Sequence, residues 1–361
     1  HKQVSPVAKV VLLAQFQAVA QQVVVSRAAQ TQQQVGDAVR RYVANLYTLR
    51  LVQMYRHLVS EEDERHFAYL FLILTQRHTL YRLHGFGLLY LHGWTAYDNL
   101  LCDCLELRKK HNLCDWAYLL MLKEIADQFC GTDTNEAVLM MGYLYCQSGY
   151  KVRFASDNAD HLYLLVASDY FMYGKLSYEI DGDIYYPVQE AKPELHICKA
   201  KFPNESSLSL GITKAMQLDN TEAESRVIKS KAYPDMKIDV AVNRSLIDFY
   251  NTYPSAYTNN DKMTYFRVYA DTPMNEDVKR QTYPALRSCL QGLSEHQAVS
   301  RLLNFVQTGF EYEYDETIWG CDRAFFAEET LYYPYCDCED RSILLTRLIR
   351  DLLGLDCVLI Y

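Results

Sequence analysis

The sequence predicts an α+β fold, and three observations carry that expectation. Apolar residues recur at helical spacing through about residue 130. Short β-branched and aromatic runs, punctuated by an Asp-Gly turn, then occupy the stretch after Tyr150. Helical periodicity returns from Glu276 and ends in a Leu-Gly-Leu break near the last residues.

In chain order, Val35–Leu58 holds no proline and spaces Val39, Val43, Leu46 and Leu49 on one stripe. Ser60 is a candidate N-cap for the following helix, with Glu61, Glu62, Asp63 and Glu64 in its first turn. Asp115–Phe129 is amphipathic and stops at Gly131. Strands are expected at Val152–Phe154 and His161–Val166, then a hairpin of Ser177–Ile180 with Ile184–Val188 across Asp181-Gly182-Asp183. Pro187, Pro193 and Pro203 mark the next connection, and Asn204–Ala232 is polar. Further strands are expected at Lys237–Val242 and Met263–Tyr269. Helices follow at Glu276–Gln291, Ser294–Thr308 and Glu339–Leu353, the last closed by Gly354 and succeeded by a strand at Cys357–Tyr361.

The 361 residues are half apolar with a net charge of -9, a globular balance that disfavours non-specific binding to nucleic acid. Tyrosine is abundant, 30 residues against 14 Phe and 3 Trp, which suits half-buried strands and binding surfaces. No window reaches 18 consecutive apolar residues, so no transmembrane helix is expected. Residues 1–20 have the outline of a signal segment: Lys2 and Lys9, the mainly apolar run Val10–Ala20, and Ala18-Val19-Ala20 as a cleavage pattern. They point to a secreted or periplasmic location. The 11 cysteines are odd in number and dispersed, which is no disulfide framework. Cys102, Cys104, His111 and Cys114 fit no standard zinc spacing, and His57, His66, His78, His84 and His92 form no metal motif, so no metal or cofactor is expected. Gly85-Phe86-Gly87 lacks the residues of a phosphate loop, and a hairpin turn accounts for Asp181 and Asp183.

The chemistry concentrates near the end. Ala327-Glu328-Glu329-Thr330-Leu331 leads to Tyr335-Cys336-Asp337-Cys338-Glu339-Asp340-Arg341-Ser342. A cysteine opening a helix meets unpaired N–H groups and the positive end of the dipole. Both favour thiolate and can hold an oxyanion. Ile343, Leu344, Leu348 and Leu352 would bury the helix and fix the thiol.

Cys338-Glu339-Asp340, Leu353-Gly354-Leu355, the Phe310–Tyr314 segment and the Ala327–Leu331 lead-in together resemble the nucleophile half of the transglutaminase-like (papain-type) cysteine superfamily, in particular bacterial, protease-like members. The resemblance implies Cys338 as nucleophile and Asp340 as a supporting residue at the helix start. Cys336 stands where the family carries glycine. The family's His and Asp would follow on later strands, past Tyr361.

A second stretch has a similar rhythm. Aligning Gly149 with Gly354 sets Asp133 on Cys338, Asn135 on Asp340, Ala137 on Ser342 and Leu139 on Leu344. His161 then occupies the family's His position, and Gln189 stands near its Asp. The interval from Asp133 to His161, laid off from Cys338, falls just past Tyr361. The implied organisation is a helical region to residue 112, a degenerate transglutaminase-like unit over 113–195, a β-rich connector over 196–270, and the first half of a second unit over 271–361. The implied reaction is thioester acyl transfer on the amides of a peptide or protein, hydrolytic rather than crosslinking. The competing expectation is a non-catalytic scaffold whose tyrosine-rich surfaces bind a peptide, such as a cell-wall peptide, or a glycan.

Overall fold

A computed structural model describes residues 96–159, 161–198, 205–219, 224–258, 261 and 264–360. The helices expected at Val35–Leu58 and after Ser60, and the signal segment 1–20, lie outside the described residues. The described residues are 44% helix and 18% strand, which makes them α+β, and their main sheet is a curled antiparallel half-barrel. It divides into two compact units: one holds the residues to Arg108, Tyr118–Asp169 and Gly174–Leu208, the other holds Lys109–Ala117, Tyr170–Tyr173 and Ser209 onward.

In the first unit, helix α1 (Ala96–Lys110) leads to α2 (Asp115–Cys130) and α3 (Asn135–Gln147). Gly131 takes φ 96° just after α2, the left-handed stop its sequence announces. Thr134 caps α3 by accepting the Ala137 N–H at 3.2 Å. Strands β1 (Val152–Ser156) and β2 (Leu162–Ala167) follow and then, after β3 (Tyr170–Met172), which belongs to the second unit, β4 (Tyr178–Ile180), β5 (Asp183–Pro187) and β6 (His196–Cys198). The sheet order is β4-β5-β2-β1-β6, antiparallel throughout. The hairpin turns where the sequence places it, with Asp181 and Gly182 both at positive φ, as a tight primed turn requires.

Alternation builds two buried faces. Ala155, Leu165, Ala167, Ile180 and Tyr185 form one core, flanked by half-buried Tyr163 and Tyr178. On the other face Phe154 and Leu164 lie under Gly142 of α3, so closely that a Cβ there would stand 2.4 Å from the Phe154 ring. On the first face Arg153, 2% exposed, lies over the Tyr185 ring and makes a bidentate pair with Glu205 at 2.6 and 3.3 Å.

The second unit pairs β3 with β9 (Ala256–Thr258), and β7 (Arg226–Lys229) with β8 (Lys237–Val240). Helix α4 (Arg244–Tyr250), which the sequence reading lacks, lies between β8 and β9. Helix α5 (Arg267–Asp271) takes the last three residues of the strand expected at Met263–Tyr269, and the other described residues of that stretch form no strand. Its Val268, Tyr269 and Ala270 are consecutive buried residues, a run that periodicity cannot assign to strand or helix. Helix α6 (Glu276–Leu290) starts at Asn275 and α7 (Glu295–Gly309) at a Ser294/Gln297 capping box. The short β10 (Glu311–Tyr312), α8 (Asp315–Ile318), α9 (Ala327–Tyr332) and β11 (Tyr335–Cys336) lead into α10 (Cys338–Leu353). Helix α10 packs on α5, α7 and α9 through Ile343, Leu344, Leu348 and Ile349, and Gly354 ends it at φ 67°. The strand expected at Cys357–Tyr361 is not formed across its described residues. They have no ladder partner, and Val358 and Ile360 are exposed.

Candidate active site at the start of the last helix

The lead-in to α10 is held from three directions. Strands β10 and β11 pair in parallel, Glu311 opposite Tyr335 and Tyr312 opposite Cys336, which sets the Phe310 segment beside the cysteine turn. Arg341 then fastens both to the helix. It donates to the carbonyls of Gln307 and Phe310 at 3.2 and 3.1 Å and to Cys336 Sγ at 3.4 Å. Asp340 is fully buried and accepts the backbone N–H groups of Phe325 at 2.8 Å and Asp337 at 3.3 Å. The side chain that the resemblance casts as a support therefore ties the α9 approach to the first turn of α10.

Cys338 is the first residue of the helix, and its thiol is exposed. The electrostatics run against the sequence expectation. The thiol lies 3.1 Å from Glu339 Oε2. That hydrogen bond, with partial burial and the charges of Glu339 and Asp337, pushes its pKa up to about 11. The helix terminus offers about half a positive charge, and adjacent carboxylates outweigh it. Among the described histidines of the second unit, His111 bonds the Gln217 carbonyl and His296 stands in the first turn of α7, so neither supplies a base to Cys338.

Sequence reasoning missed how many acids are buried around this turn. Burial raises Asp340 to about 8, with the charge of Asp337 adding to it and the Phe325 and Asp337 N–H groups opposing it. Burial and the neighbouring Glu339 raise Asp337. Glu328 and Glu329, each 1% exposed, are raised to about 7, chiefly by burial. Glu328 accepts the Asn275 N–H at 2.6 Å, and Glu329 pairs with Arg323. The visible signal was two adjacent glutamates inside an apolar run.

In the first unit, the positions equated with the site are arranged differently. Asp133 lies before the helix, at φ 51°, because Thr134 is the cap; its carboxylate pairs with Lys123 at 2.9 Å. Cys338, by contrast, is inside its helix. Asn135 Oδ1 accepts the Leu162 N–H at 2.8 Å, which ties the start of α3 to the start of β2. His161 stands there, exposed, with Nδ1 3.1 Å from Asp157 Oδ2. Burial works to raise Asp157, but the N–H groups of His161 and Ala159 and the His161 ring prevail and hold it down to about 2. Gln189 Oε1 accepts the Leu164 N–H at 3.0 Å. A histidine–carboxylate pair thus stands at the strand start, without a thiol at the aligned position.

Searches of protein-family models, of curated proteins and of solved structures find nothing that matches this chain.

Proposed function

We propose that the chain is a transglutaminase-like cysteine protein in which Cys338 is the nucleophile of acyl transfer on peptide amides, and in which the first unit is a degenerate copy. The observation that carries this reading is an exposed thiol on the first residue of a 16-residue helix whose start is pinned by a fully buried carboxylate. In the reaction the sulfur attacks the amide carbon while a base takes the thiol proton. The amine leaves protonated, and water or a second amine resolves the thioester. The first unit supports the copy relationship: α3 lies on β1 and β2, its start is bonded to the start of β2, and a histidine paired with a carboxylate stands there. Because the described surroundings keep Cys338 neutral at pH 7, the activity expected of this chain alone is weak.

The scaffold reading draws on that same neutral thiol and on exposed Tyr312, Tyr314 and Tyr335 near the turn. One labelling experiment separates the two. The natural full-length protein is treated with limiting iodoacetamide at pH 6–7, and each cysteine is quantified by peptide mass spectrometry. Selective modification of Cys338, with loss of a thioester trapped from an activated peptide in Cys338→Ala, supports acyl transfer. Uniform slow labelling and no thioester support the scaffold.

A further inference from the structure

A base already stands in contact with the thiol. Glu339 is the second residue of α10, and its Oε2 lies 3.1 Å from Cys338 Sγ, within reach for proton transfer. The described histidines of the second unit make no such contact: His111 bonds the Gln217 carbonyl, and His296 stands in α7.

A second observation concerns Asp337. It is 7% exposed, and its Oδ1 is buried and has no hydrogen-bond partner. An oxygen of Asp337, an oxygen of Glu339 and the Cys338 sulfur lie within 4.8 Å of one another. Asp315, at the start of α8, and Asp322 bring oxygens within the same distance of Glu339. Carboxyls this crowded share protons, because like charges so close disfavour one another. Burial disfavours a charged form, so the buried Asp337 retains its proton more readily than the half-buried Glu339. A protonated Asp337 donates toward the Glu339 carboxylate rather than accepting, which accounts for a buried oxygen without a donor.

We propose that Glu339 is the acid–base residue of the Cys338 reaction, taking the thiol proton and passing it to the leaving amine. The inference rests on the acyl-transfer reading and names the base that reading requires. At rest the carboxylate keeps the proton on sulfur. As the S–C bond forms, sulfur gives up electron density and its proton becomes more acidic than a carboxylic acid, so it moves to Glu339 Oε2. The carbonyl π pair moves to oxygen. Collapse of the tetrahedral intermediate breaks the C–N bond; nitrogen keeps the bonding pair and takes the proton from Glu339. The products are a thioester, a free amine and a Glu339 carboxylate. Water then adds to the thioester, Glu339 takes a water proton, and the departing sulfur recovers it.

The test is single-turnover acylation of the natural full-length protein by two probes with one acyl group, benzoylglycine p-nitrophenyl ester and benzoylglycine p-nitroanilide. The phenolate leaves without a proton, whereas the anilide nitrogen needs one. General acid–base catalysis contributes about 100- to 10,000-fold, so Glu339→Gln should slow the anilide about 100-fold or more and leave the ester rate equal or higher. Added formate should restore part of the anilide rate in Glu339→Ala. A misfolded variant would lose both rates together. An anilide rate unchanged in Glu339→Gln, equal loss on both probes, or a parent acylated by the ester and not by the anilide overturns the role of Glu339 and leaves the acyl-transfer reading standing. A parent acylated by neither probe overturns both.

Discussion

At the scale of single residues, Glu339 decides the state of Cys338. An acid in the first turn stabilises a helix by roughly 0.3–1 kcal/mol through the dipole. The same carboxylate, 3.1 Å from the thiol, holds the proton on sulfur. Glu339→Gln keeps a polar side chain of the same length and removes the charge. In EDTA at pH 7.5, it should speed alkylation of Cys338 by about tenfold for each unit the thiol falls, while the buried Cys336 changes little. An unchanged Cys338 rate would mean that burial, not Glu339, sets the thiol's resistance. Asp157 is the converse in the first unit, a carboxyl held low by donated N–H groups and a histidine. Asp157→Asn should weaken that turn at neutral pH by about 1–2 kcal/mol, seen as a lower melting temperature, and should weaken it much less near pH 2.

At the scale of elements, the contact between α3 and the sheet is set by Gly142. Alanine is the better helix former by about 1 kcal/mol. Here its Cβ would meet the Phe154 ring at 2.4 Å and a Leu164 methyl at 3.0 Å, both in the core. Overpacking of this kind costs about 1–3 kcal/mol, so Gly142→Ala should lower thermal stability; a rise would mean that the Phe154 ring yields freely. Elements were legible where local chemistry and packing agree: Gly131 and Gly354 as helix stops, Asp181-Gly182 as a turn, and the β-branched and aromatic runs of β1 and β2. The run at Val268–Ala270 was not, because burial on every side erases the period that separates strand from helix. Helix α4, only seven residues long, carries too few turns to show one. At the candidate site, Cys338 at a helix start and Asp340 beside it could be read from the sequence. The convergence of Asp315, and the burial of Glu328 and Glu329, could not, since these depend on segments brought together only by folding.

At the scale of the whole molecule, 45 acidic residues against 36 basic ones make pH a strong variable, and buried carboxyls of the two units contribute to it in opposite directions. Asp157 in the first unit is lowered from 3.8 to about 2. Its unfolded form takes up the proton first, so its contribution is present above about pH 4 and is lost as pH falls toward 2. Glu328 and Glu329 in the second unit are raised from 4.5 to about 7, chiefly by burial. Between those values the folded state holds protons that the unfolded chain has released. Stability of that unit therefore declines as pH rises from about 4.5 to about 7 and levels off beyond. In EDTA, melting followed from pH 3 to 8 should show the second unit losing stability across that window. Glu328→Gln should flatten the decline, because its amide oxygen can still accept the Asn275 N–H and its NH2 can donate to the Tyr250 oxygen. The gain at pH 8 should be on the order of 1–2 kcal/mol and should shrink to near zero or reverse near pH 3.5, where the glutamate is mainly protonated in both states. A variant profile running parallel to the parent's would show that Glu328 releases its proton at an ordinary value, and that its burial is offset by groups other than the Asn275 N–H and Tyr250.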